Sequence, residues 1–373
     1  MLNRRLIRIR VMQTLYAFEK SKGANFQLAQ DVIAESFAPD LNSMEKQDRN
    51  KLTGLLKLTQ SLFSDEVNIG IFPTDDTLPA EVKSVLGKAR EYLKLKNKKD
   101  YDFYALQSVL DAEKVYDIYL YLLNLLSEIG HKYDGIGKLS TNKVILAIRN
   151  SKDLEHISLK RSINWENERI FINRVYNEAL KGNAHIQEYE AIINRTSEDD
   201  VAIVKYIIKN IFLKHEVCSE FFEKMSIFWV EDKEILRTML FHSINDFVES
   251  ESVVIEKLDD VWEESKDFLK SYFKQTVNEE KEILSILVPF LKNWEIERII
   301  ETDRVLLKMA VCELRHYPSI PVKVTINEII EISKNYSSAK SGQFINGILD
   351  SVNKDLTSRG LIKKTGRGML DNK

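Results

Sequence analysis

The chain has 373 residues, 44% of them apolar and 30% charged, with a formal net charge of −3, enough for about two domains with full cores. Gly (13) and Pro (6) are sparse, which argues against turn-rich β-sandwiches and barrels, because tight turns need those residues. No apolar run reaches the ~20 residues that span a bilayer, and Cys218 and Cys312, far apart in sequence, offer no disulfide framework and fit a reduced cytoplasm. The charge is unevenly spread. Met1–Phe18 holds four arginines and no acid, Glu231–Glu301 is acidic, and Arg359–Lys373 carries five basic residues against Asp371 alone. Such a chain can bind a polyanion locally without being basic overall.

The first predicted helix runs from about Leu2 to Lys20. Ile7, Val11, Leu15 and Phe18 form one apolar stripe and Leu2, Leu6, Ile9 and Tyr16 a second, with Arg4, Arg5 and Arg8 in the gap. Two apolar faces mean a helix sandwiched in a bundle, with a narrow polar edge. Arg4, Arg5, Arg8 and Arg10 interrupt every apolar stretch, so this is no secretory signal. Further helices are predicted over Gln27–Phe37, Lys51–Phe63, Ala80–Leu95, Phe103–Ile129, Asn142–Arg149, Glu166–Lys181, Asp199–Lys214 and Asp232–Phe247. Breaks are expected at Phe72-Pro73, at Gly130–Gly137 and at Lys181-Gly182-Asn183, and the Lys94–Lys99 run with Asp100 reads as a solvated helix end or loop. Phe212–Trp229 and Val277–Trp294 share a length and a terminal Trp, a weak internal similarity.

The last part is sharper. Asp303–Tyr317 is a helix with Thr302 as its N-cap, and Pro318 and Pro321 forbid helix between them. Thr325-Ile-Asn-Glu328 reads as a capping box opening a helix to about Tyr336. A polar loop, Ser337–Gly342, precedes a final helix, Gln343–Leu356, in which Gly347 costs about 1 kcal/mol against Ala and suggests a close helix neighbour.

Two separated segments resemble the NusB family. One is Arg4-Arg5-x-x-Arg8 followed by Gln13-x-Leu15-Tyr16. The other combines Asp303–Leu307, Met309-Ala310-Val311 and Glu313-Leu314 with Ile320-Pro321-x-Lys323-Val324, Ile326-Asn327-Glu328 and Phe344–Asp350. With Asp267–Trp294, similar to the helix pair that precedes, they cover about 120 residues. The resemblance implies an all-α helical bundle: a NusB-like two-subdomain core plus a large additional helical region. The first helix of that core is placed at 1–22, the additional region at 23–250, the main part of the NusB-like domain at 251–357 and a basic flexible tail at 358–373.

The resemblance also implies a non-enzymatic, cytoplasmic transcription antitermination factor. It would bind boxA-like single-stranded RNA with the ribosomal protein NusE, support rRNA transcription, and act within the RNA polymerase antitermination complex. The candidate RNA-binding residues are Arg4, Arg5, Arg8, Gln13, Tyr16, Lys323, Lys340, Gln343 and Asn346. Arginine presents paired donors to phosphate, a tyrosine ring stacks on a base, and amides read base edges. Alternatives are a protein-binding helical scaffold or an accessory domain for rRNA processing or methylation. No cofactor or metal is expected. Gly135-Ile-Gly137-Lys138 fails as a P-loop because Lys132 stands where a glycine is required, and His215 with Cys218 supplies only two ligands.

Overall fold

A computed structural model describes residues 4–42, 44, 46–69, 78–256, 260–291 and 299–372. Among them there is no strand, and no helix is long and apolar enough to cross a membrane. The helices are α1 (Arg4–Ser36), α2 (Arg49–Ile69), α3 (Ala80–Lys132), α4 (Lys143–Arg149), α5 (Lys152–Lys160), α6 (Arg169–Arg174), α7 (Ala184–Ala191), α8 (Ser197–Tyr206), α9 (Glu216–Met225), α10 (Trp229–Asn245), α11 (Phe247–Ser250), α12 (Asp260–Asn278), α13 (Glu280–Leu287), α14 (Glu301–His316), α15 (Val322–Tyr336) and α16 (Ser341–Ser358). The chain divides into two compact units, Met1–Ile7 with Val109–Phe268, and Arg8–Ser108 with Leu269–Lys373. This differs from the expected boundaries, which kept residues 23–250 together.

In the first unit, α6 and α8 each widen into a π-helical turn, Val175–Leu180 and Ile207–Phe212. Each closes with a five-residue hydrogen bond, from Lys181 N to Tyr176 O and from Leu213 N to Ile208 O. A buried polar knot holds α4, α7 and α8. The Tyr189 hydroxyl donates to Asp200 Oδ1 (2.7 Å), Asn142 Nδ2 donates to the Tyr189 oxygen (2.9 Å), and Arg195 pairs with Asp200 (2.8 Å). His215 caps α9 by accepting from Val217 N, and burial pushes the Cys218 thiol up to about 12. That residue pair therefore serves the fold.

In the second unit, predicted pieces fuse. From Arg4 to Ser36 the two predicted helices run on as one, α1, since a single Gly23 costs only about 1 kcal/mol. Its far end packs Ala29, Ile33 and Phe37 against Phe63, Val82, Val85, Leu86 and Ala89 in a core of its own. The Lys94–Lys99 run is continuous helix within the 53-residue α3. Lysine is a good helix former, and Asn25 Nδ2 ties the segment down through Asn97 Oδ1 (3.1 Å) and Asp100 Oδ2 (2.6 Å). Phe18 sits edge-on to Tyr101, Tyr104 and Phe273.

Helix α14 is the centre of this unit, buried from Val305 through Leu314. It starts at Glu301 after Ile300, so Thr302 lies in its first turn and is not the cap. Helix α15 starts at Val322 directly after Pro321, three residues before the expected box. Thr325 is buried and its hydroxyl is spent elsewhere. Helix α16 starts at Ser341, and a Cβ at Gly347 would meet nothing within 4 Å, so no close neighbour explains that glycine. The tail is docked against the Tyr317–Pro318 turn. Lys364 Nζ reaches Tyr317 O (3.1 Å), Thr365 N donates to Pro318 O (3.0 Å), and a Cβ at Gly368 would lie 2.0 Å from that same oxygen. The Phe72-Pro73 break and Trp294 lie outside the described residues.

Lys308, only 3% exposed, bridges Glu19 and Glu280 at 2.7 Å each, and Lys22 joins both acids. Burial works against the Glu280 carboxylate, but the Lys308 and Lys22 ammoniums outweigh it and hold its pKa at about 2 against an ordinary 4.5. A depressed carboxylate contributes stability above its unfolded pKa and loses it as pH falls through the folded one. Urea midpoints of the wild type should therefore drop more steeply between pH 4.5 and about 2 than those of Glu280→Gln, which lacks that titration. Equal slopes would remove the assignment.

Candidate nucleic-acid interface

The expected residues are divided between the two units. Arg4 belongs to the first unit, where it pairs with Glu264 (2.7 Å) and lies over the Phe268 ring (5.0 Å). Arg5, in the same unit, is exposed. Arg8, expected on an exposed RNA-binding edge, is instead buried. It is 2% exposed and gives two parallel hydrogen bonds, Nε to Glu313 Oε2 and Nη2 to Glu313 Oε1, both 2.8 Å. The Thr325 hydroxyl donates a third bond to that carboxylate (2.7 Å). Burial opposes the guanidinium charge, yet the Glu313 bonds more than offset it and raise its pKa above the ordinary value. A guanidinium engaged in this way is committed to the bundle.

Within the second unit, α1 presents Gln13 and Tyr16 where α14 begins and α15 ends. Met12, Gln13, Tyr16, Thr302 and Tyr336 line a hollow of about 300 Å³. Tyr16 is 36% exposed, with Lys20 Nζ 5.2 Å from its ring centroid. Lys20 also pairs with Glu301, and Gln13 accepts from buried Arg10 (2.9 Å).

A second hollow, again about 300 Å³, is lined by Ile299, Ile300, Asp303, Ser338, Lys340, Ser341 and Phe344. Thr302 and Asp303 are neighbours, so the two hollows flank one turn of α14. Asp303 is buried. Its Oδ2 accepts from Ser341 (2.7 Å), while Oδ1 has no hydrogen-bond partner among the described residues. Gln343 and Asn346 are exposed on the α16 turn that follows.

Lys323 is exposed but sits near the opposite end of α15 from Tyr336, about 20 Å away at 1.5 Å per residue. The structure thus gathers Gln13, Tyr16 and Lys340 around the start of α14 and leaves Lys323 apart. Sequence reasoning missed Asp303, Phe344, Tyr336 and Lys20 as lining or flanking groups. Asp303 carried a signal, because it opens an otherwise apolar helix face.

These described residues form an all-helical bundle offering ring faces, amides and an ammonium group around two hollows, which is the chemistry of binding. Residues 233–354, about a third of the chain, match the model described as the NusB family, and the chain therefore carries a NusB family domain there. It is 49% identical over 78 residues to the transcription antitermination protein NusB of Salinibacter ruber (21% of this chain, 49% of that protein). It is 44% identical over 79 residues to the protein of the same name from Chloroherpeton thalassium (21% and 37%). The chain thus spans about half or less of the relatives' length. A solved structure of T. maritima NusB is similar at 23% identity and a TM-score of 0.25, over 42% of this chain and 91% of that one. The family match starts at residue 233 and leaves out α1. What ties Arg8–Ser36 to α14 is the set of ion pairs Arg8–Glu313, Lys308–Glu19 and Lys20–Glu301.

Arg8→Ala should leave Glu313 buried without its cation and cost about 3–5 kcal/mol of stability by urea unfolding. A loss below about 1 kcal/mol would show that the pair does not hold the bundle in register.

Proposed function

We propose that this chain is a transcription antitermination factor that binds boxA-like single-stranded RNA together with the ribosomal protein NusE, supports rRNA transcription within the antitermination complex, and acts by assembly without catalysis. Support comes from the NusB family domain at 233–354 and from the names of its relatives. The observation that carries the reading is the pair of hollows flanking the start of α14. One presents an exposed Tyr16 ring beside Gln13, and the other an exposed Lys340 beside Phe344.

The division of labour follows from the side chains. Tyr16 and Phe344 offer faces on which unpaired bases stack, which is sequence-tolerant. Gln13, Gln343 and Asn346 read base edges, and Asp303 Oδ1 is an acceptor for a base N–H at the floor of the second hollow. Lys340 supplies salt-dependent affinity, and Arg4 and Arg5, which belong to the first unit, are assigned to phosphate contacts of their own. Lys323 is assigned to a separate contact, with RNA or with the protein partner. Arg8 is omitted from the RNA-binding set.

Tyr16→Ala should weaken a boxA-like oligonucleotide about tenfold, in keeping with ~1–3 kcal/mol per stacked base. Lys340→Ala should weaken all RNAs alike and shrink the slope of log K against log salt by roughly 0.7. Anisotropy titrations at several salt concentrations, with and without NusE, read both effects. Equal affinity for boxA-like and scrambled RNA in the presence of NusE would defeat the proposal.

A further inference from the structure

Helix α3 carries an exposed stripe that the RNA reading does not use. Tyr101 and Tyr104 turn inward to Phe18. On the other side lie Leu95, Lys99, Asp102 and Leu106, all exposed, the two leucines by more than half. Their spacings are four, three and four, the alternation that keeps residues on one seam of a helix pair. Phe103, also more than half exposed, flanks the seam. Leucines of this kind on the open face of a long helix are a contact surface in want of a partner.

The order of residues indicates which partner. Reversed end to end, the pattern keeps leucine at both outer positions and exchanges lysine with aspartate. A second copy lying antiparallel across a two-fold axis therefore sets Leu95 against the other copy's Leu106. It also sets Lys99 against Asp102, twice by symmetry. A parallel copy in register would instead stack lysine on lysine and aspartate on aspartate. Lys98 already reaches Asp102 within one copy at 2.7 Å, so in the pair each carboxylate bridges two ammoniums. We infer that the Leu95–Leu106 face of α3 is an isologous, antiparallel contact between two copies of this chain. About three helical turns bury little area, so the dimer is of the weak, reversible class.

Sedimentation velocity of the full chain over a wide concentration range tests this. The wild type should move from monomer to dimer as concentration rises. Lys99→Glu and Asp102→Lys each place like charges across the axis and should weaken association at least about tenfold. The double variant K99E/D102K restores opposite signs and should recover most of the dimer. All three positions-changed proteins alter only exposed side chains, so circular dichroism melts should match the wild type, and the double variant controls for any that do not. A wild type that stays monomeric throughout assigns the stripe to a different protein and overturns the inference. So does a K99E variant that dimerises like wild type, or a double variant that does not recover.

Discussion

The second unit is organised around a carboxylate with no access to water. Glu313 is fully buried in α14 and receives Arg8 from α1 and Thr325 from α15. Taking two charges out of water costs several kcal/mol each, and attraction recovers that cost only when geometry and hydrogen bonding are complete. Here the guanidinium fork meets both carboxylate oxygens and a hydroxyl takes a further lone pair. The pair therefore works less as a source of stability than as a condition on register. If α1 slid by a turn, both charges would be left unmatched.

Lys308 repeats the logic one and a half turns away. It meets Glu19 of α1 and Glu280 of α13, so α1 is pinned to α14 at two points eleven residues apart along α1. Between those points lie Gln13 and Tyr16, which line the first hollow with Thr302 at the head of α14. The placement of the candidate binding groups is thus a consequence of charge pairing in the core. Tyr16 is exposed because the register set by Arg8 and Glu19 turns Ile7, Val11, Leu15 and Phe18 inward. Arg8, a cation that the sequence alone would give to RNA, is one that the bundle uses to set the register of its neighbours along α1.

That explains what was legible. The Ile7, Val11, Leu15 and Phe18 stripe of α1, the helix before Pro318 and the helix after the Ser337–Gly342 loop follow from local periodicity and were readable in outline, whereas Tyr16, expected on a second apolar stripe, is exposed. Lys308 and Glu313 also announce themselves, as charges inside an apolar run. Their partners do not, because Arg8 lies 305 positions away from Glu313 and no local pattern links the two. Start points failed for a related reason. Thr325 has the right neighbours for a capping box, but its hydroxyl is claimed by Glu313 and Pro321 opens the helix earlier. Lys94–Lys99 looks like a break only to a reader weighing solvation alone. Propensity favours helix there, and the Asn25 bonds come from sequence far away.

The segment from the far half of α1 to the start of α3 fits the same account. The far half of α1, with α2 and the start of α3, closes a core from Ala29 to Ala89 that borrows nothing from α14, α15 or α16. An element that buries its own apolar surface can be added between two pinned helices without disturbing the pins. What it cannot do is hide the outer face of α3, because its inner face is already spent on Phe18, Phe273 and the Asn25 anchor. An added helix of that length ends with one side satisfied and one side open, and the open side here carries leucines in a reversible order of charges. This segment thus brings its own binding problem, separate from the one set at the start of α14.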